Sequence, residues 1–413
     1  MNEQIKQRIT QLNNGEVPNG YEKTEIGTFP VGWKTTTLDK LLEFKNGVNA
    51  DKEKYNSGVK MISVMDILTD SPIYYDKIKG QVDIDEKILD TYSVTYGDIL
   101  FQRSSETFED AGKSNVYLDQ DRTATYSGFV IRGKKKADYN PYFLNEALRI
   151  GQVRNQIIRN AAGSQHINVG QDSLAKIIVP LASDIEQSKI AEILMKWDEA
   201  IDLQEEFLHT LEIKRMAILQ SFFSKEKCSN WIKLSDYVKE VSNRNNIGCQ
   251  NVKSVSNKNG FIDQSSQFSK QVASEDVSKY KVVTKDCVAY NPSRINVGSI
   301  AIYNEDTPGI VSPMYVVFKC VNMDPRFLLL LLETARGKYE VKSYLSGSVR
   351  DSLAFEDLKS IELAVPPKEK WGEIVDILNI IDAQYSLYND KLSFLKRQRK
   401  ALQQYLLNGV VRV

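Results

Sequence analysis

Two stretches of this chain place an apolar side chain at alternating steps of four and three residues. Ile190, Leu194, Trp197, Ile201, Gln204, Leu208, Leu211, Arg215, Ile218 and Phe222 form the first. Ile374, Leu378, Ile381, Tyr385, Tyr388, Leu392, Leu395, Arg399, Leu402 and Leu406 form the second. This alternation is the a/d seam of a supercoiled helix pair and predicts two helices of about five heptads each. Both seams are broken at equivalent places, by Gln204 or Tyr388 and by Arg215 or Arg399. Polar seam residues set register and partner choice at some cost in stability. Two arrangements satisfy the pattern: each helix packs on its own globular body, or the two pair antiparallel and hold two bodies apart. A helix of about forty residues is roughly 60 Å long.

Elsewhere the pattern changes to short apolar runs bounded by polar turns. Val59 to Ile67, Gly97 to Phe101, Ser127 to Arg132 and Lys176 to Pro180 read as strands. Tyr142 to Ile158 and Arg326 to Leu345 read as helices. The expected fold class is therefore α+β.

From Pro141 onward the chain says nearly the same thing twice, about 184 residues apart. "NPYFL" at Asn140 matches "DPRFL" at Asp324, and Gly163-Ser164 matches Gly347-Ser348. "IIVP" ending at Pro180 matches "LAVP" ending at Pro366, and "IAEILMKWDEAI" from Ile190 lies over "IVDILNIIDAQY" from Ile374. "KRMAILQSFF" from Lys214 lies over "QRKALQQYLL" from Gln398. The earlier parts agree loosely: "TYGDILFQRSS" from Thr95 aligns with "TKDCVAYNPSR" from Thr284, and each copy opens on a tryptophan, Trp33 or Trp231. Two copies are too few for a solenoid. They predict two modules related by pseudo-two-fold symmetry.

Composition narrows the function classes. The 413 residues are 42% hydrophobic, and 54 Lys plus Arg balance 54 Asp plus Glu. That length accommodates two domains with their own cores. Zero net charge argues against unaided, non-specific binding of phosphate, though not against a local basic face. The N-terminal stretch is polar, and the longest apolar run, Phe327 to Leu332, is far short of a membrane span. Cys228, Cys249, Cys287 and Cys320 contain no C-x-x-C pair, which fits a cytoplasmic setting without a disulfide framework.

Catalytic motifs are not found. "AGKS" at Ala111 lacks the earlier glycine of a phosphate-binding loop, Thr107 standing there. "NPSR" at Asn291 resembles an amino-methyltransferase motif but lacks its second proline and aromatic ring, so a turn is expected. His166 and His209 have no metal-ligand spacing. "RGKKK" from Arg132 reads as a solvated hairpin. Polar loops at matched places are the better candidates, because Arg suits guanine while Asn and Gln suit adenine. One follows the "GDILF" strand and carries Gln102, Arg103, Ser104 and Ser105; its counterpart carries Asn291, Ser293 and Arg294. A second pair carries Ser164, Gln165 and His166 against Ser348 and Arg350. Different readers on a repeated frame are what two different recognition sites require.

The order and duplication of these motifs, with the opening "GYEKTEIGTFPVGW" from Gly20, resemble the specificity subunit of type I restriction–modification systems. The resemblance implies two target-recognition domains separated by two long antiparallel coiled-coil helices. Expected boundaries are an N-terminal segment at 1–30 that completes the helical region, domains at 31–183 and 226–367, and helical spacers at 184–225 and 368–413. It implies a non-catalytic, DNA-binding chain whose domains each read one half of a split double-stranded target. Two methyltransferase subunits dock on the helices and restriction subunits join them. S-adenosylmethionine, ATP and Mg would then belong to those partners, none to this chain. "QLNNGEV" from Gln11 resembles the terminal "YLLNGVV" from Tyr405, as in the cyclic arrangement described for the family, with the two ends of the chain near each other. One departure is "KDCVAY" from Lys285 where "GDIL" is expected. The rival expectations are a coiled-coil scaffold that binds only protein, and a single-chain methyltransferase or nuclease.

Overall fold

The computed structural model describes residues 3–257, 260–264, 276–345 and 352–413. They fall into two units, one made of the chain up to Glu205 together with Lys391–Val413, the other of Glu206–Asp390.

In the first unit, α1 (Glu3–Asn13) precedes a four-stranded antiparallel sheet. Its strands are β1 (Leu42–Asn46), β2 (Ile99–Gln102), β3 (Ser114–Val116) and β4 (Val130–Lys135), in spatial order β1-β4-β2-β3. Side chains alternate across a sheet, and here both faces are covered. Ile99, Phe101 and Ile131 join a core with Trp33, Phe143 and Leu407, whereas Leu100 and Val130 pack with Ile62, Tyr117 and Tyr126. Double burial explains why "DILF" is almost wholly apolar.

The next two helices are α2 (Pro141–Ala147) and α3 (Gly151–Arg159), so the single helix expected from Tyr142 to Ile158 is broken. "NPYFL" is a helix start: the Asn140 side chain accepts from Phe143 N at 3.0 Å and Pro141 occupies the first turn, where a missing N–H costs nothing. Two further expectations differ. The run from Val59 is strand only to Ile62, because Ser63 and Asp66 form a capping box that starts a helix at Val64. "RGKKK" is no hairpin, since Arg132 to Lys135 continue β4 and the Arg132 guanidinium is buried over the Tyr126 ring, 5.5 Å from its centroid. Residues Asp184–Phe222 then form α4.

The second unit has strands β5 (Val238–Glu240), β6 (Cys287–Tyr290), β7 (Ile300–Ile302) and β8 (Val316–Cys320) in spatial order β5-β8-β6-β7, the order of the first sheet. Helices α5 (Pro325–Glu333) and α6 (Ala335–Tyr344) again replace one expected helix; the Thr334 hydroxyl between them accepts from Gly337 N at 3.0 Å and caps the second. "DPRFL" repeats the cap, with Asp324 accepting from Arg326 N. The last helix is α7 (Trp371–Leu407).

Each unit also pairs an opening strand with the strand that precedes its long helix: Lys34–Thr37 with Ile178–Leu181, and Asn230–Lys233 with Glu362–Val365. The opening tryptophans differ, however. Trp33 is buried and donates to Glu186 at 2.9 Å, whereas Trp231 is 63% exposed. In the second unit Trp371 lies in the core instead, stacked on Phe327 at 4.5 Å.

The long helices pair antiparallel. In the first unit Asp198 meets Arg399 and Glu205 meets Lys396; in the second Phe207 meets Tyr388, Glu212 meets Tyr385 and Arg215 meets Asp382. Ile190, Leu194, Ile201, Leu208 and Leu211 on one seam and Ile374, Leu378, Ile381 and Leu406 on the other are buried. The architecture is thus two β-rich regions joined by two paired long helices.

The chain's two ends meet in the first unit. Arg8 donates to the Val410 carbonyl and the Tyr21 hydroxyl to that of Gly409. The similar segments end their helices alike: Gly15 N donates to Leu12 O and Gly409 N to Leu406 O, with φ of 75° and 66°, a left-handed exit that glycine adopts without strain.

Candidate nucleic-acid interface

The loop after β2 begins with a buried side chain. Gln102 donates to Ser104 O at 2.9 Å, and its Oε1 has no partner among the described residues. Ser105 is also buried, donating to Thr107 O at 2.7 Å. These two hold the loop from behind. Arg103 and Ser104 stand nearer the surface. Arg103 gives one N–H to the Gly128 carbonyl at 3.3 Å, and no carboxylate pairs with it among the described residues. Most of a five-donor fork therefore has no protein partner among the described residues.

The second candidate loop folds onto the first. Ser104–Ser105 pair antiparallel with Ile167–Asn168, Val169 N donates to Arg103 O at 3.0 Å, and Ser104 Oγ bonds the Asn168 side chain. Ser164, Gln165 and His166 form the exposed tip between Ala162 and Asn168, which bridge each other. The two loops that sequence separated by about sixty residues are thus one surface. Beside it Arg103, Asn46, Asn168, Gly170, Gln171 and Asp172 line a polar cleft of about 360 Å³. Asn46 and Gln171 carried no sequence signal, because each lies in a segment that reads as ordinary strand or turn. Asn168 ended a motif singled out for its other residues.

In the second unit Asn291 is buried and its side chain accepts from Ser293 N at 3.1 Å, forming the turn expected of "NPSR". Ser293 and Arg294 are exposed. Leu353 N donates to the Pro292 carbonyl at 3.0 Å, so the chain after the second loop returns to the first here too. Ser348 and Arg350 lie outside the described residues.

The departure at "KDCVAY" resolves into the same turn. Asp98 accepts from Thr95 N at 3.0 Å, and Cys287 Sγ from Thr284 N at 3.5 Å. Gly97 before it has φ 91°, and Asp286 keeps φ 66°. Burial raises the Asp98 carboxyl above the usual range despite backbone donors from Lys135 and Thr95.

Charged groups on the long helices are equally specific. Arg399 binds Asp198 at 2.7 Å and the fully buried Glu146 at 2.7 Å, while Gln403 donates to Glu146 and the Tyr142 hydroxyl to Asp198. Burial works against the Arg399 charge, but Glu146 and Asp198 more than offset it and its pKa is raised. In the second unit Arg215 binds Asp382 at 2.5 Å and Glu333 at 2.6 Å. Away from the seam Leu203, Ile213 and Met216 on α4 and Ile380, Leu387 and Phe394 on α7 are exposed. Among the described residues no group of three or more His, Cys, Asp or Glu could hold a metal, and no helix is long and apolar enough to cross a membrane.

Comparison with known proteins adds a family. The family model described as "Type I restriction modification DNA specificity domain" matches residues 30–212 and 236–397. A protein of Methanocaldococcus jannaschii assigned as the specificity subunit of a type I restriction enzyme, MjaX, is 25% identical over 430 aligned positions, which cover 95% of this chain and 97% of that one. Two solved structures share the fold. The type I restriction–modification S subunit from M. genitalium superposes with a TM-score of 0.57 at 15% identity over 95% of this chain and 97% of its own. A chain from a study of complex assembly and conformational transition in the type I R-M system gives 0.53 at 14% identity over 93% and 99%. With a family model covering both copies of the repeat, this chain belongs to the type I restriction–modification DNA specificity family.

Proposed function

We propose that each module reads one half of a split double-stranded DNA target and that the antiparallel helices separate the two readers. The observation that carries this reading is the pair of sheets with identical strand order whose matched loops diverge around a shared serine: Arg103, Ser104 and Ser105 on one stand where Pro292, Ser293 and Arg294 stand on the other, and the Ser164–His166 tip joins the first. A conserved frame with divergent tips fits two unlike half-sites. The modules are assigned to 31–183 and 226–367, the spacers to 184–225 and 368–413, and the segment 1–30 completes the helical region. Reciprocal Arg399–Asp198 and Arg215–Asp382 pairs support a pseudo-two-fold relation, since residues about 184 apart exchange partners.

The apolar side chains exposed along α4 and α7 support the helices as docking surface for two methyltransferase subunits, which restriction subunits then join. S-adenosylmethionine, ATP and Mg serve those partners, and the complex works in the cytoplasm. With zero net charge, this chain gains affinity for DNA within the complex rather than alone.

The test is co-expression with the methyltransferase of the same system, followed by mapping of methylated adenines. A split motif is expected, changing in one half when 31–183 is exchanged and in the other when 226–367 is. Methylation at no split motif, or unchanged when this chain is removed, would sink the reading and favour a scaffold.

A further inference from the structure

Each module carries one large apolar side chain at the same place beside its reading loop. Phe129 is 65% exposed and Met314 60% exposed, although Val130 and Val317 in the strands that follow are fully buried. Single exposed apolar residues are common and need no function. Equivalence is what distinguishes these two. Val130 N donates to Ser127 O at 2.9 Å and Tyr315 N to Ser312 O at 3.0 Å, so both residues are third in a four-residue turn that opens on serine. Each turn feeds the strand that pairs with the loop-bearing strand: β4 with β2 through Val130 and Gln102, β8 with β6 through Val316 and Tyr290. Both tips therefore lie one or two residues beyond the ladder, alongside the departing loop.

In the first unit the tip and the loop are tied. Arg103 N donates to Phe129 O at 3.0 Å, and the Arg103 guanidinium to Gly128 O. The second unit has Pro292 in the place of Arg103, without an N–H for that tie. A protein-docking patch is contiguous and apolar. Phe129 is instead tied through its own carbonyl to Arg103, which lines a cleft with Asn46, Asn168 and Gln171. Polar donors around one apolar group suit a base edge, where hydrogen bonds lie beside a thymine methyl or an opened base step.

We infer that Phe129 and Met314 are the apolar base contacts of their respective modules on double-stranded DNA, a reading that rests on the function proposed above. Phenylalanine in one and methionine in the other would give the half-sites different apolar preferences on one frame.

The experiment uses the full chain with its methyltransferase and the duplex that the unaltered complex methylates. Phe129→Ala should weaken binding of that duplex about tenfold to hundredfold, as loss of one base contact does. Binding of an unrelated duplex, co-purification of the methyltransferase and the unfolding temperature should not change, because so exposed a side chain holds no core. Met314→Ala should act likewise and independently, and Phe129→Leu should recover part of the loss. A duplex with deoxyuridine for thymine in the affected half separates the two base chemistries: equal binding by both chains identifies the methyl, a persistent difference identifies the base step. Unchanged affinity for the methylated duplex in both alanine variants overturns the inference, as does loss of methyltransferase co-purification, which would make the tips protein contacts. If the unaltered complex methylates no split motif, the DNA-reading function itself fails, an outcome distinct from either.

Discussion

Arg399 and Arg215 occupy the same step of the two long helices and meet the same kind of partner, yet the two nodes differ in depth. In the first unit the Arg399 side chain is 11% exposed and Glu146 1%, and Tyr142, Asp198 and Gln403 complete a closed set of donors and acceptors. In the second, Arg215 is 20% exposed and its partners Glu333 and Asp382 are 37% and 46% exposed. The aspartates recur because they belong to the repeated helices. The glutamates do not: Leu330 stands at the position matching Glu146, and Glu333 at the one matching Arg149. Helix pairing is thus duplicated, while each module body supplies its own third group.

The comparison breaks most visibly at Arg399. Arg399→Met removes the cation shared by the buried Glu146 and by Asp198, leaving Glu146 with Arg149 and Gln403, and breaking a buried ion cluster costs about 3 kcal/mol. Arg215→Met releases carboxylates that water reaches, at a cost of about 1 kcal/mol. Urea unfolding of both variants checks the ratio, and adding Glu146→Gln to Arg399→Met should recover part of the larger loss. Equal losses at the two sites would mean that depth does not set the cost.

What sequence made legible follows the same divide. The seams were readable because heptad spacing is local and recurs over many turns. The caps at Asn140 and Asp324 explain why "NPYFL" and "DPRFL" persist in both copies. Glu146 gave no warning, because a carboxylate inside an apolar helix looks like a solvated position until Arg399, more than 250 residues away, is placed against it. Trp231 matches Trp33 in sequence yet is exposed, and Trp371, from another segment, joins the second core. In the candidate surface, Arg103 and Ser104 were visible as polar residues after a buried strand, whereas Asn46 and Gln171 reach the cleft only through tertiary packing.

The turn before the loop-bearing strand sharpens the contrast at smaller energies. Gly97 has φ 91°, and a Cβ there would stand 2.9 Å from Lys135 Cδ and 3.1 Å from Pro141 Cγ. Gly97→Ala should cost about 1–2 kcal/mol through the left-handed backbone alone. Asp286 already bears that conformation with a side chain, so Asp286→Gly should change stability by less than about 0.5 kcal/mol, relief of strain offsetting added freedom of the unfolded chain. Thermal unfolding measures both; a large gain from Asp286→Gly would mean that the second turn is as strained as the first would become.

The smallest effect uses an asymmetry of composition. Cys228, Cys249, Cys287 and Cys320 all lie in the second unit, so thiol labelling reports on that unit alone. Burial, with Asp324 nearby, pushes the Cys320 thiol up to about 12, and Cys287 is fully buried. Thiolate is the reactive form, so at pH 8 Cys320 should not label in the folded chain on the timescale of the partly exposed Cys249, and burial alone closes Cys287 to the reagent. The rate at Cys320 should rise about tenfold per pH unit until pH approaches 12. Arg215→Met loosens the helix pair within this unit and should accelerate labelling of Cys287 and Cys320 modestly, while Arg399→Met, despite its larger cost, should leave both rates unchanged. Acceleration by Arg399→Met as well would mean that the two nodes act as one cooperative element rather than as two locks of unequal depth.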